Sequence, residues 1–351
     1  MIMITEREEH LKNFLTEQGA HYQEQQLNAF EGYSQPADRH APTLSILDHK
    51  AIIESAGPDT FKFLQGQLTC DTSKLSTGQY QTGTVCTPKG RMYSQFSLLK
   101  TSDESCLMAM HEGLTETTRT NLGKYAVFFK TELQQKEELY CIGLSGSDIK
   151  SAVATVFGNV PEGNQAIQID DNGWLLEVAG LCQRYEAWLN LDRLTKLWPE
   201  LVKHFTPTNQ QNWRLLDIEA VTPALTPAVV ENYIPQHFNQ PSLGSVSFRK
   251  GCYTGQEIVA RMQNLGQLKT RCYRLTTTET VELKANTKLF NEARKAIGEV
   301  VDCVRRSDTT ELLAVIRVDA AESNTVQTES GQPLTCHTLP YGIDPKAELQ
   351  Q

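Results

Sequence analysis

Residues 250–257, with the sequence Lys-Gly-Cys-Tyr-Thr-Gly-Gln-Glu, bring together several groups that can do chemistry. Thr254 and Glu257 have the spacing of a capping box, which predicts that a helix begins just after Cys252. The positive end of a helix and the nearby ammonium of Lys250 both favour thiolate over thiol. The stretch therefore predicts a reactive thiol at Cys252. A capped surface helix with an ordinary small apolar cysteine explains the same pattern about equally well.

The residues after this motif carry the periodicity of a short helix. Ile258, Met262 and Leu265 fall on one helical face, and Gly266 is predicted to end the helix. The stretch 249–274 is also basic, with six cations against the single acid Glu257: Arg249, Lys250, Arg261, Lys269, Arg271 and Arg274. Such a face can hold an anionic ligand or an RNA phosphate, although a solvated helix face is the commoner explanation.

Two isolated residues also have side chains suited to ligand chemistry. Trp213 lies on a predicted helix over 212–220 and could stack on a planar ligand, but core packing explains it at least as well. Asp71 follows another predicted helix as an uncompensated carboxylate, and its simplest interpretation is a solvated turn residue.

Length and charge limit the possible classes of protein. A chain of 351 residues predicts two or three domains. The net charge of −9 argues against extensive coating by nucleic acid. We find no apolar run long enough for a membrane span, and the acidic N-terminus does not fit a signal peptide. These features predict a cytoplasmic protein that does not enter a membrane.

Several kinds of site are excluded by their missing motifs. The nine cysteines are widely spaced with no Cys-x-x-Cys pair, so we expect neither a standard zinc site nor a disulfide framework. The chain also lacks the glycine-rich dinucleotide fingerprint, the phosphate-binding loop and His-Glu-x-x-His.

The order of elements predicts an α+β protein. A helix over 5–19 opens an N-terminal segment that we interpret as an appendage up to about residue 42. Strands and helices then alternate to about residue 220, with a hairpin predicted at 87–91. The segment 223–247 has little periodicity, which is typical of a functional or disordered loop. Short strand-like runs after residue 269 predict a small antiparallel barrel or sandwich.

The motif at 250–257 resembles the signature of the YgfZ-type folate-binding proteins, which are relatives of the glycine-cleavage T protein. Further matching blocks follow in the family's order, at 63–71, 89–92, 124–128, 218–220 and 234–236. The block 124–128 belongs to the most hydrophobic short run of the chain, 125–129. The resemblance covers roughly residues 43–340.

The resemblance implies three domains around a central hole that binds tetrahydrofolate. Two are α/β sheet domains, and the third is a C-terminal antiparallel β-barrel. The corresponding boundaries are an N-terminal helical extension over 1–42, a discontinuous folate-binding domain over 43–138 with 206–268, a ferredoxin-like α+β domain over 139–205, and the barrel over 269–345.

The resemblance also implies a function. It points to a monomeric tetrahydrofolate-binding accessory protein that supports iron–sulfur cluster assembly or repair and tRNA thiolation. Its partners would be iron–sulfur proteins or their assembly factors, and its effect on tRNA would be indirect. In the aminomethyltransferases the equivalent stretch looks like Phe-Ile-Gly without a cysteine, so Cys252 places this chain with the accessory branch. The alternative is a tetrahydrofolate-dependent aminomethyl or one-carbon transferase, with Asp71 as its general base. Direct RNA binding through the basic stretch is a third hypothesis.

The resemblance assigns the candidate site residues as follows. The reactive thiol of Cys252 acts with Lys250, Tyr253 and Asp71, and the folate-binding residues are Trp213, Glu219, Gln256, Glu257 and Arg261. A folate needs an aromatic face, a carboxylate for its pterin donors and cations for its glutamate tail, which Trp213, Glu219 and the basic stretch could supply in turn. Asp71 is the second candidate for the pterin. Relatives carry an aromatic residue where this chain has Lys50, so stacking would depend more on Trp213. No metal site is implied.

Overall fold

A computed structural model describes residues 6–34, 36, 38–171, 173–265, 268–279, 281–306 and 308–350. Its helices are α1 (Glu6–Glu17), α2 (Thr60–Gln65), α3 (Thr115–Ala126), α4 (Lys150–Phe157), α5 (Leu191–His204), α6 (Gln210–Glu219), α7 (Gln256–Leu265), α8 (Val318–Ser323) and α9 (Pro345–Glu348). Its strands are β1 (Ala20–Gln23), β2 (Gln26–Phe30), β3 (Thr43–Ile46), β4 (Lys50–Ala56), β5 (Tyr80–Cys86), β6 (Met92–Lys100), β7 (Ser105–His111), β8 (Glu132–Gln135), β9 (Leu139–Gly146), β10 (Ile167–Gln168), β11 (Trp174–Glu177), β12 (Gln183–Asn190), β13 (Thr206–Thr208), β14 (Thr270–Thr277), β15 (Lys288–Phe290), β16 (Ala296–Arg305), β17 (Thr310–Arg317), β18 (Val326–Gln327) and β19 (Pro333–Cys336).

The first sheet has five antiparallel strands in the order β5-β6-β7-β4-β8. The predicted hairpin at 87–91 is confirmed, because the Thr87 amide donates to the Arg91 carbonyl oxygen at 2.8 Å. Gly90 has φ +71° in this turn, a conformation that favours glycine. Helices α2 and α3 cover one face of the sheet through Phe63 and Leu122.

The second sheet has six strands in the order β10-β11-β12-β9-β3-β13. Its pairs are antiparallel except the parallel pair β13–β3. The strands at 43–46 and 206–208 therefore belong to the same sheet as 139–190. This composition differs from the predicted boundaries, which assigned 43–46 and 206–208 to the folate-binding domain. The long-range pairing of β3 with β9 leaves no local sequence signal.

Strand β12 is buried on both faces and joins two cores. Tyr185, Ala187 and Leu189 pack with α5 and the N-terminal segment. Trp188, on the opposite face, packs with residues of the first sheet such as Ile52 and Ala109. The two-residue period of a strand thus directs residues 184, 186 and 188 toward the space between the sheets.

The N-terminal segment is part of the folded body rather than an appendage. Phe14 of α1 and Phe30 of β2 contact the Trp198 ring at centroid distances of 5.4 and 5.9 Å. The buried Arg7 side chain donates to the carbonyl oxygens of Leu139 and Lys50. The sequence showed the helix, but not the distant aromatic partner that fixes it.

The third unit is a closed barrel of six strands, in the order β14-β17-β16-β15-β18-β19. It confirms the predicted α+β fold with a C-terminal antiparallel barrel. The segment 221–247 is largely irregular but it is not a free loop. Its apolar residues pack between the first sheet and the barrel: Val221, Leu225, Val229, Tyr233, Phe238 and Val246.

Candidate functional site

Cys252 lies on the surface, in an irregular segment that precedes α7. All nine cysteines are among the described residues, and Cys252 alone is classed as exposed. The others are buried or partly buried, and burial raises the thiol pKa of several, including Cys70 to about 12. Cys252 is therefore the thiol most accessible to a partner.

The predicted capping box does not form. Helix α7 begins at Gln256, and Gly255 precedes it with φ +85°. The Thr254 amide donates to the Gly66 carbonyl oxygen, and the Thr254 hydroxyl donates to Gln67 Oε1, both at 3.3 Å. Both groups are thus bonded to the chain just after α2. Gly266, the predicted end of the helix, lies outside the described residues.

Lys250 tethers the motif to the first sheet domain. Its buried ammonium donates to the carbonyl oxygens of Leu68 and Cys70, each at 2.8 Å, and lies 5.4 Å from the centre of the Tyr253 ring. Burial lowers the pKa of Lys250 to about 8, against the opposing effect of Cys70 and Asp71. The charge of Lys250 is directed at main-chain oxygens, which gives this residue a positioning role.

Tyr253 and Gly255 fit the motif onto the hairpin of the first sheet. The Tyr253 ring is buried, and its hydroxyl has no hydrogen-bond partner among the described residues. Burial raises the pKa of Tyr253, with a further contribution from Cys86. A Cβ atom at Gly255 would lie 2.5 Å from the Thr87 carbonyl oxygen. Only glycine permits this approach. Backbone packing against the hairpin therefore fixes the segment that follows Cys252.

Asp71 is engaged locally. Its carboxylate accepts hydrogen bonds from the Ser73 hydroxyl at 2.6 Å and from Gln65 Nε2 at 2.8 Å. Burial raises the pKa of Asp71, but these hydrogen bonds outweigh burial and leave the pKa below its ordinary value. A carboxylate held in this way is a weak base.

A cavity of about 1460 Å³ lies between the two sheets, α6 and the barrel. Its wall includes charged and aromatic side chains from both sheets and α6, among them Lys50, Arg184, Glu186, Trp188, Trp213 and Asp217. Typical small-molecule pockets measure about 300–1,000 Å³, so this space accommodates a ligand of folate size.

Trp213, the predicted stacking residue, is among the residues that line this cavity. Its ring is only 1% exposed, because the Arg184 guanidinium lies 4.0 Å from the ring centre. On the Gly143 side, a Cβ atom at that glycine would lie 2.3 Å from Trp213 Cε3. The ring is thus held tightly and offers little free surface to a stacking ligand.

Lys50 and Glu186 form a pair in the cavity wall. Lys50 Nζ lies 2.5 Å from Glu186 Oε2, and Glu186 Oε1 accepts the indole N–H of Trp188 at 2.8 Å. Burial lowers the pKa of Lys50, but Glu186 outweighs this effect and the pKa is raised. We did not predict a role for Glu186 or Arg184 from the sequence. The alternation of residues 184, 186 and 188 along a buried strand is the signal that could have found them.

Glu219, which is predicted to contact the pterin, does not line the cavity. Its carboxylate pairs with His40 at 2.7 Å and Arg39 at 3.7 Å. Asp217 is the acid of α6 that reaches the cavity, since residues 213 and 217 share a helical face and residue 219 does not.

The remaining predicted folate residues lie on α7. Gln256, Glu257 and Arg261 do not line the cavity, and the last two are exposed. Of the five predicted folate-binding residues, all of which the structure describes, Trp213 alone lines the central cavity.

The basic stretch 249–274 is also divided. Arg249, Arg261 and Lys269 are exposed, whereas Lys250 is buried and Arg274 pairs with Glu311 at 2.8 Å. The described residues contain no group of three or more metal-ligating side chains. Within that same part of the chain, no helix has the length and apolar character needed to cross a bilayer.

Comparison with known proteins first defines the class of fold. The glycine cleavage system aminomethyltransferase T from Bartonella henselae superposes with a TM-score of 0.76, covering 94% of this chain and 96% of that structure at 18% identity. This chain therefore has the aminomethyltransferase T fold. No family model matches the chain.

Sequence relatives then define the family. The tRNA-modifying protein YgfZ of Photorhabdus laumondii is 32% identical over 309 residues, which cover 86% of this chain and 93% of that protein. The protein of the same name from Klebsiella pneumoniae is 31% identical over 313 residues, covering 86% and 94%. The chain belongs to the family of the tRNA-modifying protein YgfZ.

Proposed function

We propose that this protein serves tRNA modification as an accessory protein that binds tetrahydrofolate in the central cavity. The observation that carries the proposal is the composition of the cavity wall. Glu186 and Asp217, each also paired with a cation of the wall, provide carboxylate oxygens. Lys284 and Arg214, the latter also bonded to Asp302, provide cations in the same space. These are the groups that a pterin ring with donor N–H groups and an anionic glutamate tail require.

Unpartnered polar atoms in the wall support the fit. Gln81 Nε2 and His49 Nδ1 line the cavity and have no hydrogen-bond partner among the described residues. Buried polar atoms without partners are unfavourable, and a polar ligand can satisfy them. A bound tetrahydrofolate supplies a carrier for a one-carbon unit. The residues of this chain bind it, orient it and exclude water.

The exposed thiol gives the accessory role its second site. We propose that Cys252 is presented to iron–sulfur proteins or their assembly factors, and that the effect on tRNA thiolation follows through such a partner. Lys250, Tyr253 and Gly255 hold the segment against the first sheet, so the thiol projects from a fixed base. An indirect effect on tRNA agrees with the few exposed cations of the basic stretch.

The transferase alternative receives less support. It requires a general base beside the folate, and the proposed base, Asp71, does not line the cavity and is already hydrogen-bonded. Turnover of an aminomethyl or methylated amine donor with tetrahydrofolate would support the transferase.

The accessory proposal is tested by a Cys252→Ala variant in a deletion strain. We expect wild-type folding and wild-type tetrahydrofolate affinity by calorimetry, together with loss of tRNA thiolation and of iron–sulfur enzyme activity. Cys336→Ala, at a partly buried barrel cysteine, is the matched control and should complement fully. Full complementation by Cys252→Ala would reject the role of the thiol.

A further inference from the structure

Arg184 carries unused donors in the wall of the central cavity. Its residue exposure is 1%, and its Nη2 atom donates to Asp217 Oδ1 at 2.8 Å. Its Nε and Nη1 atoms are buried and have no hydrogen-bond partner among the described residues. The guanidinium is thus charged and buried, yet only partly satisfied.

The surroundings of Arg184 hold the guanidinium in one place. Trp213 lies against one side, at 4.0 Å from the guanidinium carbon to the ring centre. Gly180, in the loop between β11 and β12, lies against the aliphatic part, where a Cβ atom would be 2.6 Å from Arg184 Cδ. Residues 178–182 of this loop line the same cavity. The arginine is therefore positioned before any ligand binds, so little side-chain entropy is lost when a ligand binds.

The neighbouring acids are already paired. Glu186 bonds to Lys50, and Asp302 of the barrel bonds to Arg214. Asp217 accepts a hydrogen bond from Nη2 of Arg184, whereas Nε and Nη1 have no partner among the described residues. A buried charged donor without an acceptor is costly, and an oxygen acceptor on a ligand removes that cost.

We propose that Arg184 is the specificity-determining donor of the cavity and binds a carboxylate or carbonyl oxygen of the ligand. This inference rests on the proposed binding of tetrahydrofolate, whose glutamate tail and pterin ring each carry such oxygens. Trp213 then acts as the support that orients Arg184, rather than as the stacking platform that its position in the sequence suggested.

The test uses Arg184→Lys in the full chain, because lysine keeps the charge and a donor for Asp217 but removes the planar set of N–H groups. Calorimetric titrations are made with tetrahydrofolate and with tetrahydropteroate, which lacks the glutamate. We expect Arg184→Lys to weaken tetrahydrofolate binding about ten- to hundredfold. Equal weakening for both compounds assigns the acceptor to the ring side, and weakening for tetrahydrofolate alone assigns it to the tail.

Gly180→Ala provides a second route, since its new methyl group must displace Arg184 without removing it. We expect a similar loss of affinity. Arg193→Lys, at a helix residue outside the cavity, is the matched control and should bind as the wild type does. A purely structural role for Arg184 predicts lower thermal stability of the free protein with unchanged affinity.

The outcomes separate the two proposals. If the wild type binds neither compound, the proposed function fails. If the wild type binds tetrahydrofolate and both folded variants bind it with the same dissociation constant, the role of Arg184 is wrong and the proposed function stands.

Discussion

The ion pair between Lys50 and Glu186 gives the sharpest prediction for the cavity wall. The Glu186 side chain is 4% exposed and the Lys50 side chain 22%. Changing Lys50 to methionine leaves the glutamate charge buried, with the Trp188 indole as its remaining side-chain donor among the described residues. Removing one partner of a buried pair costs about 3–5 kcal/mol, and because Lys50 is partly exposed we expect the lower value, about 3 kcal/mol.

A second substitution should relieve that cost. Glu186→Gln removes the charge and keeps an amide oxygen for Trp188, so Lys50→Met with Glu186→Gln should lie within about 1 kcal/mol of the wild type. The double-mutant cycle therefore predicts a coupling energy of about 2 kcal/mol or more. Urea unfolding, followed by tryptophan fluorescence, measures each variant.

Lys203→Met is the control for this cycle, because Lys203 and Glu200 form an exposed pair whose loss should leave the stability unchanged within the error of the measurement. If the single Lys50→Met and the double variant are equally destabilised, the carboxylate does not depend on the lysine, and our description of the cavity wall is refuted.

Three further predictions concern other parts of the protein. Burial raises the pKa of Asp48 to about 6, so between about pH 4 and 6 the folded state holds a proton that the unfolded state has lost. At pH 7 the buried carboxylate is charged and destabilises the folded state, so Asp48→Asn should stabilise the protein by at most about 3 kcal/mol. Unfolding curves should show that this gain disappears near pH 4. Gly143→Ala should cost about 1–3 kcal/mol by urea unfolding because its methyl group overlaps Trp213, whereas Gly123→Ala, with open space around it, should not destabilise; equal stabilities would contradict the packing described. A maleimide should label one thiol rapidly in the native protein and none rapidly in Cys252→Ala, and several fast thiols in that variant would contradict the burial of the others.

Local patterns predicted much of the fold. The helix periodicity of 212–220, the turn at 87–91 and the short strands after residue 269 all correspond to elements of the structure. These features depend on residues close together in the chain, so a single sequence carries them.

The composition of the cavity was not predictable in the same way. Lys50 and Glu186 are separated by 136 positions, and their pairing depends on how the two sheets pack. The sequence favours Glu219 for the pterin, with Asp71 as the second candidate. The acid of α6 that lines the cavity is Asp217, because two positions along a helix turn a side chain to another face. Hydrophobicity alone also does not predict which residues are buried, because Val127 and Phe128 of the most hydrophobic run are 75% and 81% exposed.

The separation of the thiol from the cavity has a similar cause. The motif at 250–257 suggested a single site because its chemistry is contiguous in sequence. In the structure, Lys250 and Tyr253 point into the first sheet domain while Cys252 remains at the surface. Which residues of this motif are buried depends on the distant part of the chain that packs beneath it. The local sequence does not carry that information.

A crystal structure of the full chain grown with tetrahydrofolate tests the central claim most directly. We predict one tetrahydrofolate in the central cavity, within hydrogen-bond distance of Arg184 and of the acidic wall formed by Glu186 and Asp217. Tetrahydrofolate bound on the outer surface near Cys252, or a cavity without the ligand at concentrations that saturate the protein in solution, would contradict the account.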